Sequence, residues 1–175
     1  MSEEQPIPYI DLDKKIDLLH NAITRTDSYL NSANTKSTIM LTFSMALGTA
    51  ICINSISILR LGPGYHVAIA IAIMLLLNSS IHSLLSIRPF LTPSEKSNML
   101  SFVDITSVYK TPNEYENKIN TINKSDMICE MSSLNYALSK GLMKKYKSQK
   151  YAVDSIISSL ILMAITLLFA FNQGF

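Results

Sequence analysis

The sequence predicts an all-α membrane protein: three transmembrane helices with a cytoplasmic helical extension, formed by the amino-terminal arm and the segment between helices two and three. Three observations predict it. Only 16% of the 175 residues are charged, against about 25% in an ordinary soluble domain. The deficit is concentrated, since residues 37–59, 61–87 and 155–175 hold none of the 15 basic or 13 acidic residues. Lysine and arginine are also divided very unevenly between the two sides that three crossings create.

The elements follow in order. Residues 1–36 form an arm whose Pro6 and Pro8 keep its start extended. Leu12, Ile16, Leu19, Ile23, Leu30 and Ala33 then recur at helical spacing, one face of an amphipathic helix. Glu3, Glu4, Asp11, Asp13, Asp17 and Asp27 interrupt the arm, and no early apolar run suggests a cleaved signal peptide. Nothing stops this helix before residues 37–59, the first span, bounded by Lys36 and Arg60. A hydrocarbon core about 30 Å thick needs roughly 20 helical residues, and backbone amides in lipid must be satisfied within the segment. Residues 60–64 make a short external turn around Leu61-Gly62-Pro63-Gly64. Residues 65–87 are the second span, closed by Arg88-Pro89, and residues 155–171 the third, leaving 172–175 outside.

Residues 88–154 form a cytoplasmic helical segment. Thr92-Pro93-Ser94-Glu95 and Thr111-Pro112-Asn113-Glu114 each offer a Thr cap, a Pro at the first helical position and a Glu two residues later. Helices are expected from Pro93 and Pro112. Phe102-Val103-Asp104-Ile105 reads equally as strand or irregular chain. Asn123-Lys124-Ser125-Asp126 marks a break, after which Met127, Met131, Leu134, Leu138, Leu142, Tyr146, Gln149 and Val153 form a stripe leading into the third span. Two long helices, packed through these stripes, are expected to pass from cytoplasm into membrane.

Orientation follows from cations alone. The arm has Lys14, Lys15, Arg25 and Lys36, the first loop has Arg60, and the 88–154 segment has ten Lys and Arg. The arm and the long segment are therefore expected on the cytoplasmic side.

Catalytic chemistry has no candidate. Cys52 and Cys129 fall in a span and in reducing cytoplasm, and His20, His66 and His82 have no second metal ligand at suitable spacing. No Gly-rich phosphate loop, nucleophile elbow or H-E-x-x-H occurs. An enzyme, a metal site and a cofactor are thus not expected. A nucleic-acid partner is not expected either, with a net charge of +2 and no reading fold.

The spans contain no full charge, which argues against a coupled transporter or proton pump. The second does carry Asn78, Ser79, Ser80, His82 and Ser83. Asn78, Ser79, His82 and Ser83 are candidates for a pore lining, the plainer reading being interhelical hydrogen bonding. Ala46/Ala50, Gly48/Cys52, Ala68/Ala72 and Ser155/Ser159 are pairs of small residues that permit close helix approach. Three spans seldom enclose a channel alone, so a pore implies a homo-oligomer. Lys140, Lys144, Lys145, Lys147 and Lys150 attract anionic lipid. In a sharper reading some of them hold a phosphate together with the arm, and Arg25, Lys36, Lys140 and Lys144 are the candidates for that ligand site.

One family resemblance runs through nearly the whole chain. Its marks are Ala33-Asn34-Thr35-Lys36-Ser37-Thr38-Ile39-Met40-Leu41 entering the first span, Arg88-Pro89 leaving the second, and Ser101-Phe102-Val103-Asp104-Ile105. Asn113-Glu114-Tyr115 and Leu134-Asn135-Tyr136-Ala137-Leu138-Ser139-Lys140 follow, with Lys144-Lys145-Tyr146-Lys147 before the last span. In these features and their order the chain resembles the transmembrane effectors of Pycsar antiphage defence. The resemblance implies a bacterial inner-membrane protein encoded beside a pyrimidine nucleotide cyclase. Its activating ligand would be cyclic CMP or cyclic UMP, and its output impaired membrane integrity that stops growth before phage mature. The 88–154 segment is mostly helical and shorter than the roughly 100 residues that a jelly-roll cyclic-nucleotide-binding domain needs. Either the helices sense the ligand directly or another protein relays the signal. The rival expectations are a holin-like or toxin–antitoxin membrane toxin held quiet by a protein partner, and a membrane anchor or scaffold subunit.

Overall fold

The computed structural model describes residues 10–59, 62–89 and 97–172. Among these residues there are five helices and no strand. Helix α1, Leu12–Leu59, is 48 residues long and fuses the arm with the first apolar segment. It contains no Pro, and its single Gly, Gly48, does not interrupt it. Helix α2 covers Pro63–Ile87. It starts two residues earlier than the sequence suggests, because Pro63 occupies the first turn, where its missing N–H is no loss. Gly62 takes the reversal with φ 142°, a conformation that favours glycine.

Helix α3, Phe102–Val108, corrects the open strand-or-irregular reading of residues 102–105. Ser101 caps it, and the short Phe-Val-Asp-Ile run hid a helix start with an acid at the third position. Helix α4, Pro112–Thr121, begins at the predicted cap: Thr111 Oγ1 accepts from Glu114 N at 3.3 Å. The Glu114 carboxylate returns the bond one residue further back than in a capping box, accepting from Lys110 N at 2.9 Å. Helix α5, Lys124–Asn172, runs 49 residues. The predicted break is its cap, with Asn123 Oδ1 accepting from Asp126 N at 2.8 Å. The start signal at Thr92-Pro93 lies outside the described residues.

Helices α1, α2 and α5 are long and apolar enough to cross a membrane. At about 1.5 Å per residue α2 spans roughly 37 Å, enough for a bilayer core of about 30 Å. The chain divides into two compact units, residues 1–29 with 90–141 and residues 30–89 with 142–175.

In the first unit α1 and α5 run parallel, with Asp13 facing Lys124 at 2.7 Å and Thr26 Oγ1 facing Asn135 Oδ1 at 3.1 Å. The turn before α3 is fixed by Asn98. Its backbone N–H donates to Asp104 Oδ2 at 3.0 Å and its amide nitrogen to Glu130 O at 2.7 Å, while its amide oxygen accepts from Leu100 N at 2.8 Å. Glu130 Oε2 accepts from Met99 N at 3.1 Å, and Tyr115 donates to Met99 O at 3.1 Å. Asn98, Met99, Asp104 and Met131 are all buried. Tyr109 and Tyr115 pack ring on ring at 5.2 Å. Burial holds the Tyr109 hydroxyl above its ordinary range, with the Glu130 charge adding to the effect.

The second unit is polar inside and apolar outside. Ser37, Ser44, Ser79, Ser83, Ser86 and Ser159 are at most 1% exposed, as are Ala33, Ala72 and Ala152. Ile53, Met74, Leu168 and Phe171 are each more than 60% exposed. Such a surface is unfavourable in water and suited to lipid, where no hydrophobic drive favours burying large side chains between helices. The predicted apolar stripe of α5 lies one step off the innermost line. Leu142, Tyr146 and Val153 are half-buried, while Lys145, Gln149, Ala152, Ser155 and Ser159 face inward. Of the small-residue pairs, Ser155/Ser159 is buried and Ala46/Ala50 is exposed.

Candidate functional site

The inward faces of α1, α2 and α5 in the second unit build one continuous polar column. The α1 and α2 chains run antiparallel through two hydroxyl pairs, Ser37 with Ser86 and Ser44 with Ser79, each 2.8 Å apart. Seven residues forward on α1 match seven back on α2, two helical turns on one face. Helix α5 meets α2 through Asn78 Nδ2 donating to Ser155 Oγ at 2.8 Å and Ser159 Oγ donating to Ala72 O at 3.2 Å. From Ala72 to Ser86 the column is roughly 21 Å long at about 1.5 Å per residue.

At the Arg88 end the column becomes a web that joins all three helices. Gln149 Nε2 donates to Ala33 O at 2.6 Å and to Ser37 Oγ at 2.9 Å. Ser37 donates on to Ser86 Oγ at 2.8 Å, whose hydroxyl points at Lys145 O at 3.4 Å. The Lys145 side chain, 4% exposed, sends its ammonium back into the same web. It donates to Asn34 Oδ1 at 2.9 Å, to Ser86 O, and to Arg88 O at 3.4 Å. A buried ammonium is tolerable only where oxygens replace its hydration shell, and here they come from two other helices.

The four pore candidates separate by role. Asn78 and Ser79 are engaged in helix–helix hydrogen bonds. His82 packs on Tyr151 with ring centroids 5.2 Å apart. Among the described residues the fully buried Ser83 hydroxyl has no hydrogen-bond partner, and neither has His82 Nδ1. An unsatisfied buried hydroxyl costs about 1–3 kcal/mol, so the column holds polar capacity that its helix contacts leave unused. Sequence reading placed Gln149 on the packing stripe of α5, where it is buried, but missed Lys145 as an interior residue beside it. Its signal was the helical spacing from Lys145 through Gln149 and Ala152 to Ser155 and Ser159, a small and polar line beside the apolar one.

The four ligand candidates are all exposed. Arg25 and Lys140 belong to the first unit, Lys36 and Lys144 to the second. Arg25 lines an open groove of about 530 Å³ in the first unit, with Lys14, Asp17, Leu18, Asn21 and Ala22 along the same face of α1. Its guanidinium also reaches Tyr29 Oη at 3.4 Å. A second, largely apolar groove of about 290 Å³ lies between α1 and α2, lined by Gly48, Cys52, Leu76 and neighbours. Among the described residues no three His, Cys, Asp or Glu side chains converge on a metal position.

Comparison with known proteins places this architecture. The family model described as the Pycsar effector protein domain matches residues 18–171, nearly the whole chain. No curated protein and no solved structure matches. The chain belongs to the Pycsar effector family.

Proposed function

We propose that this member of the Pycsar antiphage effector family is a multi-pass protein of the bacterial inner membrane, activated by cyclic CMP or cyclic UMP to make that membrane leak. The observation that carries the reading is the family match over residues 18–171, which takes in all three apolar helices and most of both units. The geometry supports it. A helix bundle with lipid-compatible outside and hydroxyl-lined inside has a face that water accepts once the helices part. The cation count supports a cytoplasmic arm and 88–154 segment.

The nucleotide shifts an equilibrium between a quiet and a leaky state, which requires different affinity for the two. Its phosphate meets exposed cations, the candidates being Arg25 and Lys140 in the first unit and, separately, Lys36 and Lys144 in the second. Arg25 is the best placed, because its groove also offers Lys14 and the Asn21 amide. Leakage needs several copies, and the reading assigns no catalytic group. A neighbouring cyclase supplies the ligand.

The test is dye release from liposomes holding the purified protein, with cyclic CMP, cyclic UMP or cyclic AMP. Release with a pyrimidine nucleotide alone, weakened by Arg25→Glu, is expected. Release indifferent to all three overturns direct activation. Phe102 (67% exposed) and Tyr136 (72%) in the first unit favour one other reading, a holin-like toxin restrained by a protein partner. That protein leaks without nucleotide and is silenced by the product of an adjacent gene. A membrane anchor or scaffold subunit, by contrast, is harmless when overproduced alone.

A further inference from the structure

We infer that the Lys145 ammonium is a tethered cation plugging a ready-made oxygen site at the Arg88 end of the hydroxyl column, a site that takes a small ammonium-type cation when the side chain is removed. The oxygens of the site come from outside the lysine's own helix. Ser86 and Arg88 lie at the carboxyl end of α2, where helix carbonyls lack a partner within the helix and the helix dipole is negative. Asn34 Oδ1 of α1 faces the same point from the other side. Among the described residues three neutral oxygens therefore converge on one position, and the ligand they favour is a compact cation with N–H bonds.

Lys145 suits that position as arginine would not. Its flexible stem reaches in from α5, and its ammonium donates in three directions from one atom. The lysine ties α5 to both other helices where the column begins, so leaving the site loosens their junction at that end. Withdrawal strands the Ser86 and Arg88 carbonyls and opens the way to the Ser37–Ser86 and Ser44–Ser79 hydroxyls. Calling the plugged form the quiet state rests on the reading above; the cation site itself does not.

The experiment uses the full chain without nucleotide. In detergent, Lys145→Ala is expected to melt below the parent, with methylammonium raising its melting temperature and tetramethylammonium, which has no N–H, leaving it unchanged. In liposomes Lys145→Ala leaks potassium roughly tenfold faster, the factor that about 1.4 kcal/mol of lost closure gives. Methylammonium slows that leak, and Lys147→Ala, altered at an exposed neighbour, behaves as the parent. Equal action of the two ammonium ions, or a variant as stable and tight as the parent, overturns the inference. Should Lys145→Ala not fold, the unaltered protein with nitrogen-15 lysine decides. One ammonium in slow exchange with water, lost in Lys145→Met, supports the plug, and fast exchange of every lysine overturns it. A parent deaf to nucleotide would sink the activation reading while leaving these readouts intact.

Discussion

The Gln149 amide nitrogen and the Ser37 hydroxyl oxygen lie 2.9 Å apart, the nitrogen donating, in an interior that excludes water. The same nitrogen donates to Ala33 O at 2.6 Å. One side chain of α5 thus satisfies two groups of α1 and starts the relay through Ser86 toward Lys145. Hydrogen bonds between membrane helices average about 0.6 kcal/mol and reach about 1.7. Gln149→Leu, which keeps the volume and removes both donors, is expected to cost about 1–2 kcal/mol. Thermal unfolding in detergent measures it. A double-mutant cycle with Ser37→Ala should show coupling of about 0.5 kcal/mol or more, and strict additivity would mean that the pair is not a contact.

Asn98 does comparable work in the first unit with three bonds, each worth about 1 kcal/mol when buried. Only two of these use the side chain, so Asn98→Ala is expected to cost about 2–3 kcal/mol, including the Glu130 and Leu100 groups left unsatisfied. The readout is faster proteolysis within residues 97–121. Asn98→Asp is worse at neutral pH, because the introduced carboxylate replaces a donor that faces Glu130 O and sits near the Asp104 and Glu130 carboxylates. Its folded-state pKa is raised, so protonation restores a donor and stability returns as pH falls. A variant that grows less stable on mild acidification would contradict this arrangement.

Tyr109 gives the first unit an alkaline limit. Burial, then Glu130, then Tyr115 raise its folded pKa above the unfolded value of about 10. Folding therefore holds a proton that the unfolded chain releases. The associated stability is complete below the unfolded pKa and is lost as pH climbs through the folded one. Proteolytic resistance of residues 97–121 should fall above about pH 10. Tyr109→Phe should flatten that decline, and an unchanged pH profile in the variant assigns it to another group.

Most of the fold was legible because lipid imposes a length and forbids charge: α2 and the apolar parts of α1 and α5 could be read from uncharged runs alone. The cap at Thr111 was legible because a side-chain oxygen before a helix start has one obvious use, whereas at Asn123 only a break was read and the side chain caps α5. Residues 102–105 were not, since four residues of mixed polarity carry no period and the deciding partners, Asn98 and Glu130, are remote in sequence from one another. The column was misread for a different reason. In water the apolar stripe is the inner face, but in lipid the apolar side chains of α5 turn outward and leave Lys145, Gln149 and Ser159 within. Lys145 looked like one of five lysines in a basic run; the Asn34 amide oxygen and the carbonyls of Ser86 and Arg88 distinguish it.

The two cysteines test both the spans and the orientation. Both are free and exposed on the protein surface, yet Cys52 sits in the apolar part of α1 and Cys129 near the start of α5. Exposure to lipid and exposure to water then give opposite reactivity toward a membrane-impermeant maleimide, because the reagent and the thiolate it needs are both confined to water. In spheroplasts neither residue should react. Opening the cells should expose Cys129 at once, the outcome expected from the cation excess of its segment. Cys52 should label only after denaturation. Single-cysteine variants, Cys52→Ser and Cys129→Ser, separate the two signals. Labelling of Cys129 in unbroken spheroplasts would reverse the orientation, and ready labelling of Cys52 in membranes would place α1 in water.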